Sequence, residues 1–287
     1  MTESTADRDD AHVDVEIDTS EVVRRPGRIL VTNDDGIEAP GLRLLATGLA
    51  DRFDDVLVAA PSSDLSGTGT GIGRYDPDAG VGMRRADVDG IEGYAIDGPP
   101  GLAVMAAALG AFGAAPDLVV SGVNNGMNTG HSVLHSGTVG GALTAATFGG
   151  RGLAVSLDVD QLGPDGERRW DTAVQVAVAV VGWMRSDAAP AVINLNVPSV
   201  PVERLRGARW ARLDDFGYFS VASADVAGAA LTLEVTDRTS GLDPTTDTAL
   251  CRAGYVTLTA LRSVEPAAVP DSDAGTVTGI ERRSDAG

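Results

Sequence analysis

The chain reads as short apolar runs separated by longer stretches in which apolar residues recur every three or four positions. Residues 28–32, "RILVT", are a run with little alternation, the pattern of a buried strand. Pro40 then stands where a helix can begin, and Leu42, Leu45, Ala46 and Leu49 fall at helical spacing. Further strands are predicted at 56–60, 93–97, 117–122, 153–157 and 191–197, with helices at 101–109, 138–149 and 170–184 between the later ones. Strand–helix–strand crossovers imply a mainly parallel sheet and a three-layer α/β domain. After Pro201 the pattern changes. Strands at 218–222 and 230–235 are joined without a helix, and a short helix at 246–254 precedes a last strand at 255–261. The division expected is an α/β body over 25–200 and a β-rich appendage over 201–264, suited to pairing subunits. Segments 1–24 and 265–287 are expected to be disordered acidic tails.

Charge supports the tails. The net charge is −19 and all 22 basic residues are Arg. Residues 1–21 hold eight acids against one Arg, and 265–287 hold five against two, with little apolar periodicity in either. An acidic body disfavours long nucleic-acid polymers, whose binding rests on neutralising phosphates. A small phosphorylated ligand is compatible with it if a metal supplies positive charge. No apolar run nears the ~18 residues that would suggest a membrane span, so no membrane partner is expected. The acidic start lacks the features of a signal peptide. A single cysteine, Cys251, excludes an internal disulfide framework and fits a reducing compartment. The location expected is the cytoplasm.

In open parallel sheets, ligands collect beyond the carboxyl ends of the strands. Polar, Gly-rich loops follow four of the strands: "NDDG" (33–36), "PSSDLSGTGTGIG" (61–73), "SGVNNGMNTGHSVLHSGT" (121–138) and "NVPSVP" (196–201). The first three are expected to converge. "NDDG" resembles a hairpin corner, but Pro40 and a helix follow where a hairpin would need a returning strand. Asp34 and Asp35 repel each other, and a divalent cation with oxygen ligands, Mg²⁺, Mn²⁺ or Ca²⁺, reconciles them. "SGTGTGIG" (66–73) fits neither the dinucleotide fingerprint nor a phosphate-binding P-loop, which leaves Ser66 as its residue suited to chemistry. Asn residues after a buried strand offer neutral oxygens to a metal and donors to phosphate. Ser136, Gly137 and Thr138 open a helix whose free N–H groups favour an anion. His131 and His135 have the spacing of metal ligands on a helix. Their segment is too rich in Gly and Asn for one, no acidic third ligand is adjacent, and a histidine site is not expected. Cys251 reads as packing, and Trp170, Trp183 and Trp210 as core or subunit contact.

These stretches resemble the SurE family of metal-dependent 5′-nucleotidases. The resemblance rests on "ILVTNDDGIEAPGL" (29–42), "AAPSSDLSG" (59–67), "PDLVVSGVNNGMNTG" (116–130), "HSGTVGGAL" (135–143), "NLNVP" (194–198) and "TDTALCRAGYVTLTAL" (246–261). It implies a Rossmann-like body whose C-terminal part exchanges between subunits, giving a homodimer or homotetramer. It implies one divalent ion per subunit, Mg²⁺ or Mn²⁺, on Asp34, Asp35, Ser66 and Asn124. Asp34 and Asp35 would be catalytic, and Asn33, Asn128, Ser136, Gly137 and Thr138 would line a phosphate pocket. The activity implied is hydrolysis of nucleoside 5′-monophosphates, with a nucleotide-binding or assembly protein lacking turnover as the alternative. The chain departs from the family pattern at Leu65, Pro99, Leu102 and His135, so the resemblance does not carry a substrate range with it.

Overall fold

A computed structural model describes residues 14–15, 27–74, 76–159, 166–185, 189–216, 219–227, 230–237 and 241–264. Their elements in chain order begin with a two-residue strand β1 (Asp14–Val15), then β2 (Ile29–Thr32), α1 (Pro40–Ala50), β3 (Val56–Pro61), β4 (Met83–Val88), β5 (Ile91–Ile96) and α2 (Pro100–Ala108). There follow β6 (Leu118–Asn125), a 3₁₀ helix (Gly130–His135), α3 (Gly137–Thr147), β7 (Arg151–Asp158), α4 (Trp170–Met184) and β8 (Val192–Pro198). The last part holds a 3₁₀ turn (Val202–Arg204), β9 (Ala208–Trp210), β10 (Phe219–Ala227), β11 (Ala230–Asp237), α5 (Asp247–Arg252) and β12 (Val256–Leu261).

Among the described residues ten strands form one sheet in the order β1-β9-β12-β8-β7-β6-β2-β3-β5-β4. The run from β8 to β5 is parallel, with Ile29 opposite both Val56 and Leu118. The mainly parallel α/β fold expected from the sequence is the fold observed. Its strands are apolar on both faces because both faces are covered. Ile29 and Val31 belong to the core cluster that includes Leu42 and Leu45 of α1 and Val176 and Ala177 of α4. Leu30, between them, points the other way, to Ala103 and Val104 of α2 and Ala145 of α3.

The chain first steps from β2 to β3 on one side, and after β5 it returns to place β6 on the other side of β2. That reversal puts the topological switch point between β2 and β6, where the crevice of an open α/β sheet lies. The loops that follow these two strands are 33–39 and 126–136.

Three features go beyond the sequence reading. β4 and β5 make an antiparallel hairpin, turned by Asp89 (φ 53°) and Gly90 (φ 89°). β9 and β12, both from the segment read as an appendage, join the main sheet, whereas β10 and β11 pair only with each other. Asp14 and Val15 pair with Arg209 and Ala208; the rest of 1–24, and all of 265–287, lie outside the described residues. Trp170 packs against the main core, and Trp183 lies with its ring centroid 6.0 Å from that of Trp210.

Candidate active site

The first three strand-end loops meet as expected. The N–H of Leu65 donates to the carbonyl of Asp34 at 2.8 Å, and that of Ile37 to the carbonyl of Pro61 at 2.8 Å. The N–H of Gly69 reaches the carbonyl of His135 at 3.2 Å, joining the 62–73 loop to the start of α3.

Asn33 is fully buried and folds the first loop. Its Nδ2 donates to the Gly36 carbonyl at 3.0 Å, and its Oδ1 accepts from the Gly36 N–H at 3.2 Å. This closed ring turns the chain between β2 and α1 and presents the two following carboxylates. Asp34 is buried, and its Oδ1 accepts from the Thr138 hydroxyl. Gly137 lets the helix come this close, since a Cβ there would lie 2.7 Å from Asp34 Cβ. Asp34 therefore sits at the positive end of α3, where a negative charge is favoured. Ser136 caps that helix, its Oγ accepting from the Val139 N–H at 3.1 Å. The first-turn N–H groups of any α-helix have no partner inside it, so those of Gly137 and Thr138 are left for partners outside α3.

Asp35 is partly buried. Burial first, then the charges of Asp34 and Asp64, push its carboxyl up to about 7. Asp64 is held low by the hydroxyl and N–H of Ser66, which reach its Oδ1 at 2.6 and 2.9 Å. Ser66 thus donates its proton to Asp64 and keeps oxygen lone pairs. Asn124 stands near the end of β6, beside β2 in the sheet, and its Nδ2 donates to the Gly126 carbonyl at 2.8 Å. The amide oxygen is the atom left to bind a cation.

Asn128 is anchored from the neighbouring strands. Its Nδ2 donates to Ser156 Oγ at 2.9 Å, and its N–H to Asn196 Oδ1 at 2.9 Å. Its carbonyl accepts from Asn194 Nδ2 at 2.7 Å and from Asn196 Nδ2 at 3.0 Å. Asn194 and Asn196 were not singled out as site residues. Their signal is two Asn at alternate positions of an otherwise apolar buried strand, where amides must find partners. Asp247 is a third residue without a sequence-based role. Fully buried in α5, it accepts from the N–H groups of Gly130, Asp214 and Thr248, each at 2.9 Å. Burial raises its carboxyl to about 6.

His131 and His135 are exposed on the 3₁₀ helix, where three residues per turn put positions four apart on different faces. Among the described residues no group of three or more His, Cys, Asp or Glu could hold a metal ion. The set of Asp34, Asp35, Ser66 and Asn124 has two carboxylates and otherwise neutral oxygens. Asp35, pressed by burial and two neighbouring acids, gives the physical fit to a cation. An all-oxygen donor set suits a hard divalent ion.

Fold and site together define an α/β protein with a carboxylate-lined crevice at its switch point. The family model described as "Survival protein SurE" matches residues 29–219. The chain is 41% identical over 192 residues to the 5′-nucleotidase SurE of Rubrobacter xylanophilus, covering 65% of this chain and 71% of that one. With the 5′-nucleotidase SurE of Desulfitobacterium hafniense it shares 34% identity over 241 residues, 82% of this chain and 90% of the other. The crystal structure of the SurE protein from Aquifex aeolicus superposes with a TM-score of 0.67 at 27% identity, covering 82% of this chain and 93% of that one. The chain belongs to the SurE family.

Proposed function

We propose that this protein is a 5′-nucleotidase, a phosphomonoesterase that releases phosphate from nucleoside 5′-monophosphates with the help of one divalent ion, Mg²⁺ or Mn²⁺. The observation that carries the reading is the adjacent pair Asp34–Asp35 at the switch point, with Asp34 seated on the N-terminus of α3. The relatives named 5′-nucleotidase SurE support the reaction class.

Asp34, Asp35, Ser66 and Asn124 would hold the ion. Once bound, such an ion polarises a phosphoryl oxygen and makes water a better nucleophile at neutral pH. The chain's own groups do the rest. Thr138 fixes one oxygen of Asp34, which leaves Asp35 with the less committed carboxyl to take a proton from the attacking water. The N–H groups of Gly137 and Thr138, with Asn128, face the charge that grows on the equatorial phosphoryl oxygens. Water adds to phosphorus and the bond to the 5′-oxygen breaks; the departing 5′-oxygen takes a proton from solvent, and Asp35 returns its proton to solvent. In this scheme the side chains of Asn33, Ser136 and Thr138 line the phosphate pocket while keeping their bonds within the protein. The acting form is a homodimer or homotetramer in the cytoplasm. No helix among the described residues is long and apolar enough to cross a membrane.

The test is phosphate release from nucleoside 5′-monophosphates and p-nitrophenyl phosphate with Mn²⁺, with Mg²⁺ and with EDTA, for wild type and Asp34→Asn. The expected result is release that needs the ion and falls at least ~100-fold in the variant. Nucleotide binding with no release under any condition would replace this reading with a binding protein of the same fold.

A further inference from the structure

Beside the carboxylate pair, the 62–73 loop and the turn at 97–99 enclose a cavity of about 520 Å³. Small-ligand sites commonly measure about 300–1,000 Å³ and combine apolar walls with a few placed polar groups. Leu65 and Pro99 are its apolar side chains, and Asp97 is the one charged residue on its lining. Leu65 on the cavity lining ties it to the site: its N–H donates to the Asp34 carbonyl at 2.8 Å, and its chain neighbour is Ser66.

Asp97 is fixed rather than loosely placed. Its N–H donates to the Gly82 carbonyl at 2.9 Å, and its Oδ1 accepts from the Ser62 hydroxyl at 2.6 Å. Ser62 is held in turn by its N–H on the Ile96 carbonyl at 2.8 Å. Gly82 makes room for the carboxylate, because a Cβ there would lie 2.1 Å from Asp97 Oδ2. A lone carboxylate repels phosphate and accepts hydrogen bonds from hydroxyl groups. An acid just beyond a strand end that binds ribose hydroxyls is a recurrent device of parallel α/β sheets. β5 lies two strands from β2. With neighbours about 4.8 Å apart, Asp97 stands roughly 10 Å across the sheet edge from Asp34, a span comparable to a nucleotide's own length.

We propose that this cavity is the subsite for the nucleoside leaving group, in which Asp97 accepts hydrogen bonds from the ribose hydroxyls while Leu65 and Pro99 flank the base. The assignment of a nucleotide to it rests on the 5′-nucleotidase reading. It makes the enzyme selective for ribose over deoxyribose, with recognition of the base confined to apolar contact.

The experiment compares adenosine 5′-monophosphate, its 2′-deoxy analogue and p-nitrophenyl phosphate as substrates of wild type, Asp97→Asn and Gly82→Ala. The second variant displaces the Asp97 carboxylate without replacing it. Both variants are expected to raise KM for the ribonucleotide about tenfold, the size of one lost charge-assisted hydrogen bond, with kcat within about twofold. The ribonucleotide-to-deoxynucleotide preference and the ribonucleotide-to-p-nitrophenyl-phosphate preference then collapse together. Parallel losses on all three substrates, or unchanged preferences, overturn the proposal. Calorimetric titration with adenosine alone separates the two readings. A wild type that hydrolyses the nucleotide but does not bind adenosine sinks the subsite and leaves the hydrolase. A wild type that binds adenosine through Asp97 but releases no phosphate sinks the hydrolase and leaves the subsite.

Discussion

The Thr138 hydroxyl donates to a buried oxygen of Asp34, and the glycine before it has no Cβ to strike the same carboxylate. At the scale of single residues, this contact decides how Asp34 is presented. Thr138→Val keeps the shape and removes the donor, which leaves a buried carboxylate oxygen short of a partner at a cost of about 1–3 kcal/mol. The expected outcome is a fall in kcat/KM of about 10–100-fold, with Thr138→Ser within about threefold of wild type, measured in steady state with Mn²⁺. Equal behaviour of the two variants would remove the hydroxyl from the argument. The Asp-Asp-Gly run was readable as chemistry because like charges side by side demand a reason. That Asn33 serves the turn was not readable, since its partners are the N–H and carbonyl of Gly36 and depend on the loop's actual path.

Among the elements, α5 is short, and most of its interest lies in Asp247. This carboxylate ties the 3₁₀ helix at 130–135 and the Asp214 segment to α5, and so steadies the loop that carries Asn128. Its raised value of about 6 means that between about pH 4 and 6 the folded protein keeps a proton that the unfolded chain releases. The contribution of Asp247 to stability is therefore greatest below that window and falls by about 3 kcal/mol as pH rises through it, then levels. Asp247→Asn loses this part of the slope and keeps the part due to Asp35, whose carboxyl is raised to about 7. Urea unfolding of metal-free protein at pH 4, 5, 6 and 7 checks this, and parallel profiles for the two proteins would contradict it. At this scale sequence periodicity performed unevenly. The α4 helix begins and ends at the predicted residues, because its apolar face is long and continuous. β4 escaped because "MRRADV" is an edge strand that buries only Val88, so no apolar alternation marks it. Asp89–Gly90 was the available clue: an Asp-Gly pair with both φ angles positive is a hairpin turn.

For the whole molecule, β10 and β11 form a two-stranded sheet of their own, apart from the ten-stranded one. A two-stranded hairpin is marginal in water by itself, and in the proposed oligomer a partner subunit would pack on it. Replacing residues 217–240 with a short Gly-Ser link is expected to turn the proposed oligomer into a monomer that keeps the far-UV circular dichroism of the α/β body. Light scattering after gel filtration reads the result, and an unchanged mass would show that subunits pair elsewhere. The sequence by itself determined the α/β class, the parallel order of strand and helix, and the strand-end loops that hold the polar residues. Local periodicity and turn chemistry are enough for that, since each is set within a few residues of chain. Only the tertiary structure decided which loops face each other across the switch point, that β9 and β12 extend the main sheet, and that Asn194, Asn196 and Asp247 brace the site from 66 to 117 positions away. Such contacts depend on strand order and register, which arise from packing the whole chain and leave no periodic mark on any one segment.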